Sequence, residues 1–257
     1  MPQTYTTQTY TTQITATSIA AILKKLPAKK PLSSAALQNS ATDCNHCTGF
    51  DNCQYPGHRG YHPIFTEHGT ALTACRYLAA WKTQRRQDNL QATSGIPIAY
   101  QHLDFRDFKY HSGTYQALLA AMELSSLYLT GDSHTGKTLL LSLIGNAHIK
   151  AGRQVQYTTT AEMLLQLRYT NDACEERLRH YQNIPILLLD DLGQERPSDY
   201  GEEQLHMVLD GRYRQQKTTV ISSHYSLTAL QGRYNQALVE RVRQASEREE
   251  RLMKWSG

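Results

Sequence analysis

Residues 131–138 read GDSHTGKT, an instance of G-x-x-x-x-G-K-[ST]. Few patterns restrict a fold as strongly, because this one works only where a buried strand ends and a helix begins. Gly131 and Gly136 let the backbone turn tightly, and the loop between them, Asp132, Ser133, His134 and Thr135, turns its N–H groups toward phosphate oxygens. Lys137 brings a positive charge to the β- and γ-phosphates of ATP, and the Thr138 hydroxyl is a ligand for Mg²⁺. Leu139, Leu140, Leu143 and Ile144 continue as an apolar helix whose positive dipole end faces the same anion.

A parallel α/β sheet is the expected frame. Short apolar runs at 126–130, 154–158, 185–190 and 218–222 read as strands, with helices over 114–124, 137–151, 160–182, 201–215 and 235–252. Strands separated by helices imply right-handed crossovers. ILLLDDLG at 186–193 ends a buried strand on Asp190, a carboxylate suited to hold Mg²⁺, and Asp191 follows as a candidate to polarise the attacking water. Past 218–222 the sequence continues SSHYS, so Ser223 and His224 either sense the terminal phosphate or lie in an ordinary surface loop. Arg233, Arg241, Arg243 and Arg248 form a basic face that is either solvated or supplies a finger to a neighbouring subunit's nucleotide.

The first part of the chain is different in kind. Residues 1–92 carry nine Lys/Arg against four acids, whereas the remainder is nearly balanced, with 18 against 19. TYTTQ occurs twice, at 4–8 and 9–13, and residues 1–16 read as a flexible polar tail. Short helices are expected at 17–26 and 70–91, the latter from the spacing of Leu72, Cys75, Leu78 and Ala79. Between them lie Cys44, Cys47, Cys53, His58 and His62, with Cys75 beyond. Thiolates and imidazoles at such spacing favour structural zinc, against a redox or iron–sulfur role or unliganded thiols. Cys174 stands apart. No stretch approaches the length of a membrane helix, and the start has no secretory pattern, so a cytoplasmic protein with no membrane partner is expected.

Taken together, these motifs resemble the bacterial replicative-helicase loaders of the DnaC/DnaI type, which are AAA+ ATPases. The resemblance spans about 95–245 through SGIPIAYQHLDFRDF, GDSHTGKT, ILLLDDLG, LDGRYRQQKTTVISSHYS and LVERV. In the N-terminal part it rests on C-x2-C-x5-C, then GYHP, then a lone cysteine, as in the zinc-bearing helicase-interaction domain of the DnaI branch. The resemblance implies an AAA+ P-loop domain at 100–257, a linker at 93–99 and a small helical zinc-binding domain at 17–92. It implies that four of Cys44, Cys47, Cys53, His62 and Cys75 hold zinc, that Asp190 serves Mg²⁺ and Asp191 the water, and that Arg241 is the finger acting in trans. Its implied partners are the replicative DNA helicase and single-stranded DNA, with nucleotide-dependent self-association. Arg168, Arg177 and Arg179 are the candidates for DNA phosphate contacts, or else plain surface. Two departures stand out: His224 replaces the family's usual asparagine, and no clear second-sensor arginine follows 235–252, so weak or conditional hydrolysis is expected. The alternatives are a transposition helper of the IstB type, which shares the ATPase domain, and a nucleotide-dependent adaptor with little turnover.

Overall fold

The computed structural model describes residues 61–66, 69–75, 77–108, 126–168, 172–246 and 249–251. The chain divides into two units, Met1–Leu78 and Ala79–Gly257. In the first, β1 (Tyr61–Thr66) pairs antiparallel with β2 (Gly69–Ala74), in a register that sets Tyr61 opposite Ala74. This hairpin corrects the first part of the helix expected over 70–91, which begins instead at Leu78. GTALTA alternates as a strand as readily as it repeats as a helix, and pairing with YHPIFT decides between them. The helix expected at 17–26 lies outside the described residues.

Helix α1 (Leu78–Thr93) opens the larger part of the chain. Arg86 and Gln87 donate to the carbonyls of Gly152 and Lys150. The segment after α1, expected as a linker over 93–99, is docked: Ser94 and Ile96 are buried, and the Tyr157 N–H donates to the Ser94 carbonyl at 2.7 Å. Gly95 fits only without a side chain, since its φ is +73° and a Cβ would stand 2.5 Å from the Tyr157 carbonyl oxygen.

The central sheet is built of β3 (Leu127–Thr130), β4 (Val155–Thr159), β5 (Ile186–Leu192), β6 (Thr218–Ser223) and β7 (Glu249–Arg251), all parallel, in the order β4-β5-β6-β3-β7. Four of these are the strands expected from sequence; β7 is not. After the single turn α6 (Leu227–Leu230), helix α7 (Gln236–Ala245) ends where Ser246 turns extended, and the chain then pairs with the open edge of β3, where a helix to 252 was expected. The expected helix 160–182 is also two, α3 (Thr160–Leu167) and α4 (Asp172–Asn183). Thr159 and Glu162 form a capping box that starts α3. The expected helix 114–124 lies outside the described residues.

Side chains alternate along β5, and each face meets its own helices. Leu187 and Leu189 join a cluster with Met163, Leu167, Leu205 and Leu209, from α3 and α5 (Asp199–Arg214). Leu188 meets the opposite helix, α2 (Lys137–Lys150), at Gly145, where a Cβ would stand 2.6 Å from a Leu188 methyl. The glycine thus lets the helix that begins at the phosphate-type loop lie directly on the sheet.

At the far end of the sheet Arg212 is fully buried. It donates to the carbonyls of Tyr181, Ile184 and Thr218 and to the Thr219 hydroxyl, joining α4, α5 and β6. Burial lowers its pKa to about 9, which leaves it charged at neutral pH. Arg212→Ala should therefore cost about 3 kcal/mol or more, because three buried carbonyls and a hydroxyl lose their donor at once. The urea midpoint of the full chain measures this; a loss below 1 kcal/mol contradicts it.

His148 on α2 is wholly buried; its Nδ1 lies 3.3 Å from an Arg153 nitrogen and its Nε2 has no partner among the described residues. Burial, with Arg153 beside it, lowers its pKa to about 4. The folded state thus keeps the ring neutral, while the unfolded chain protonates it near 6.5. Its contribution is complete above pH 6.5 and is lost as pH falls from there toward 4, at about 1.4 kcal/mol per pH unit. Wild-type stability should drop by about 2 kcal/mol between pH 7 and 5 from this group, and His148→Gln should lack that part of the fall.

Candidate nucleotide site

Open parallel sheets bind ligands at the carboxyl ends of their strands, where the connection direction reverses. Here that point lies at the end of β3, from which the chain crosses through α2 to the far edge strand β4. Gly136, φ +88°, turns the loop into α2, and the Phe108 ring would lie 3.3 Å from a Cβ added to it. Among the described residues no side chain caps α2, so its first N–H groups suit an anion. Lys137 is buried at 6% exposure, and its Nζ donates to the carbonyls of Gly131 and Asp132 at 2.8 Å each. Burial lowers its pKa, opposed by the charges of Asp191, Asp190 and Asp132. Thr135, also buried, ties the loop together by donating to the Asp132 carbonyl, while Asp132, Ser133 and His134 are exposed and Thr138 is half-buried.

The two acids are arranged by a bulge. The β5–β6 register runs Leu189↔Ile221 and then Leu192↔Ser223, so Asp190 and Asp191 together oppose Ser222. Asp191 takes a left-handed φ of +57°, a conformation of low population that gathers at functional sites. In a regular strand the second acid would face away from the first; the bulge is what lets both act on Lys137. Asp190 is 2% exposed. Its Oδ2 accepts from the Tyr157 hydroxyl at 2.7 Å, and its Oδ1 accepts from the Ser222 hydroxyl and from the Asp191 N–H. Asp191 is more open, and its pKa is raised by burial and by Asp190, against the opposite pull of His224 and Lys137. His224 Nε2 lies 3.8 Å from Asp191 Oδ1.

The structure thus brings Lys137, Asp190, Asp191 and His224 into one electrostatic group, beside a cavity of about 520 Å³ lined by Thr130, Gly131, Asp132, His224, Tyr225 and Ser226 among others. An uncapped helix end, an ammonium, and hydroxyl and carboxylate oxygens form a donor set suited to a phosphate chain with a hard cation. Ser223 has a different part from the expected one: its hydroxyl donates to the Leu192 carbonyl and accepts from the Tyr225 N–H. Its neighbour Ser222 touches the acids instead. Ser222 and Tyr157 went unnoticed in the sequence; the only signal was their place near the ends of strands flanking β5.

Arg241 is not beside the loop in its own subunit. Its guanidinium pairs with Asp210 at 2.8 Å, bonds Gln244 and stacks over Tyr213. Arg233 donates to the Glu195 carbonyl, Arg243 lies 3.9 Å from Glu240, and Arg248 is outside the described residues. Arg168 is exposed; Arg177 bonds the Gln166 carbonyl and Arg179 pairs with Glu175. Of the zinc candidates, Cys44, Cys47, Cys53 and His58 lie outside the described residues, as does the His62 side chain on β1. Cys75 is a buried free thiol and Cys174 donates to the Leu167 carbonyl. Among the described residues no cluster of three or more His, Cys, Asp or Glu suited to a metal occurs.

Comparison with known proteins agrees with this geometry. The family model described as IstB-like ATP binding protein matches residues 76–242. The replicative helicase loader DnaC of Buchnera aphidicola subsp. Baizongia pistaciae is 26% identical over 178 residues, 64% of this chain and 71% of the relative. The replicative helicase loader DnaI of Bacillus subtilis is 25% identical over 202 residues, 72% of this chain and 65% of the relative. A crystal structure of DnaI superposes with a TM-score of 0.57 at 21% identity, over 65% of this chain and 98% of that one, a likeness of fold. The larger unit thus has the expected parallel α/β fold, with the phosphate-type loop at the end of β3.

Lys137→Ala should weaken ATP binding about a hundredfold, because the loop loses the cation that would offset phosphate charge. Isothermal titration with ATP and Mg²⁺ measures it; affinity within threefold of wild type would remove Lys137 from the site.

Proposed function

The chain belongs to the IstB-like ATP-binding protein family, and on that premise we propose that it is an ATPase that binds the replicative DNA helicase and helps load it onto single-stranded DNA. The observation that carries the ATPase reading is the bulge that turns Asp190 and Asp191 toward Lys137. In this reading the loop N–H groups and Lys137 hold the phosphates, Asp191 takes up or orients the proton of the attacking water, and His224 tunes Asp191. Thr138 and Asp190 would hold Mg²⁺, which when bound draws charge from the phosphate oxygens. Arg241 would serve a neighbouring subunit's nucleotide, with self-association then dependent on nucleotide. Single-stranded DNA would run along Arg168, Arg177 and Arg179.

Support for a loader over a transposition helper comes from the relatives named replicative helicase loaders and from the cysteine-rich segment 44–75. Four of Cys44, Cys47, Cys53, His62 and Cys75 would bind one structural zinc and fix the helicase-docking part of the chain. Among the described residues no helix is long and apolar enough to cross a membrane, and the reading is of a cytoplasmic protein.

The test uses the full chain as bait for the host's replicative helicase, with zinc measured by elemental analysis. One zinc per chain is expected, with helicase capture lost in Cys47→Ser and retained in Lys137→Ala. Capture unaffected by Cys47→Ser, or no stoichiometric zinc in fresh protein, would overturn the zinc-dependent docking. Absence of any helicase capture would overturn the loader reading, and single-turnover hydrolysis with and without single-stranded DNA separates an ATPase from a nucleotide-dependent adaptor.

A further inference from the structure

Asp190 is held from both sides by residues that nothing in its own motif specifies. From β6, Ser222 donates to Oδ1; from β4, on the opposite flank, Tyr157 donates to Oδ2 at 2.7 Å. With the Asp191 N–H also on Oδ1, both oxygens are engaged and the plane of the carboxylate is fixed. Tyr157 is itself anchored. Its N–H donates to the Ser94 carbonyl, Gly95 packs against its carbonyl, and the ring is buried at 8% exposure. A Tyr hydroxyl is a larger commitment than this core requires, since an apolar ring would fill the same space without a polar group to satisfy.

We infer that Tyr157 is a positioning residue for Asp190, orienting its carboxylate toward the cation that accompanies the nucleotide while Ser222 fixes the other oxygen. This rests on the ATPase reading above. Partners that orient a metal-binding carboxylate typically change metal affinity or activity by about tenfold or more when removed. The effect should fall on the Mg²⁺-dependent part of nucleotide binding and spare the part carried by the loop N–H groups and Lys137.

The experiment is a fluorescence titration of the full chain with an N-methylanthraniloyl ATP analogue, once in EDTA and once across a Mg²⁺ series. Tyr157→Phe should raise the Mg²⁺ concentration for half-maximal effect about tenfold and leave affinity in EDTA within twofold of wild type. Tyr157→Leu, a second variant without the donor, should do the same. Tyr181→Phe deletes another buried tyrosine hydroxyl, one bonded to Gln166 away from Asp190, and should change neither quantity. An unchanged Mg²⁺ dependence in Tyr157→Phe, or an equal loss with and without Mg²⁺, would overturn the inference, the latter because it is what a merely structural role produces. Wild-type protein that binds no nucleotide under either condition would defeat the ATPase reading and the inference with it.

Discussion

A carboxylate buried at the tip of a central strand is the constraint around which the rest of the site is arranged. An ionised group out of water is tolerated only with donors and a counter-charge. Asp190 finds hydroxyl donors on the strands to either side and a backbone donor in Asp191, with Lys137 as the nearby cation. Each element has a second duty as a result. β6 must carry a serine rather than an aliphatic residue at 222, β4 must carry a tyrosine, and the loop after β3 must fold its lysine inward. The bulge follows from the same demand, since only a break in strand alternation keeps two successive acids on one site.

How much of this could be read beforehand depended on range. The phosphate-type loop, the apolar helix after it and the strand ending in Asp190 are local patterns, and they stand where the residues imply. The pairing of Tyr157 with Asp190 joins positions 33 apart, and a tyrosine in an apolar strand looks like core until the neighbouring strand is known. Ser222 and Ser223 are adjacent and chemically identical; only the register with β5 decides which of them meets the acid. The 61–74 hairpin was missed because Leu72, Cys75, Leu78 and Ala79 keep a helical spacing that runs unbroken from β2 into α1. β7 was missed because its reason for existing is the open edge of β3, over a hundred residues earlier in the chain.

The docked strap at 94–96 changes how the start of the larger unit is understood. A run of Gln, Asp, Asn, Thr and Ser reads as a tether, yet Ser94 closes a hydrogen bond onto the edge strand and Ile96 is buried. An edge strand with free N–H and C=O groups invites pairing, and here the chain supplies its own cover. Because the covered residue is Tyr157, the backbone entering this unit is one hydrogen bond from the residue that holds Asp190.

Arg241 poses a different problem, a cation held at home by its outer guanidinium nitrogens. Asp210, Gln244 and the face of Tyr213 all engage it, and its side chain is only 22% exposed. Asp210 also pairs with Arg214 one turn further along α5. For Arg241 to reach a neighbouring subunit's nucleotide it must leave both the carboxylate and the ring, contacts that together hold it by about 1–3 kcal/mol. A phosphate chain carries more charge than one shared carboxylate, so in the proposed role the exchange would become favourable only with nucleotide across an interface. Asp210 keeps its Arg214 partner when Arg241 departs, which lowers the cost of departure below that of stranding a buried charge. In the proposed finger role, Arg241 would leave this site only with nucleotide bound in an adjacent subunit; otherwise it stays a brace between α5 and α7.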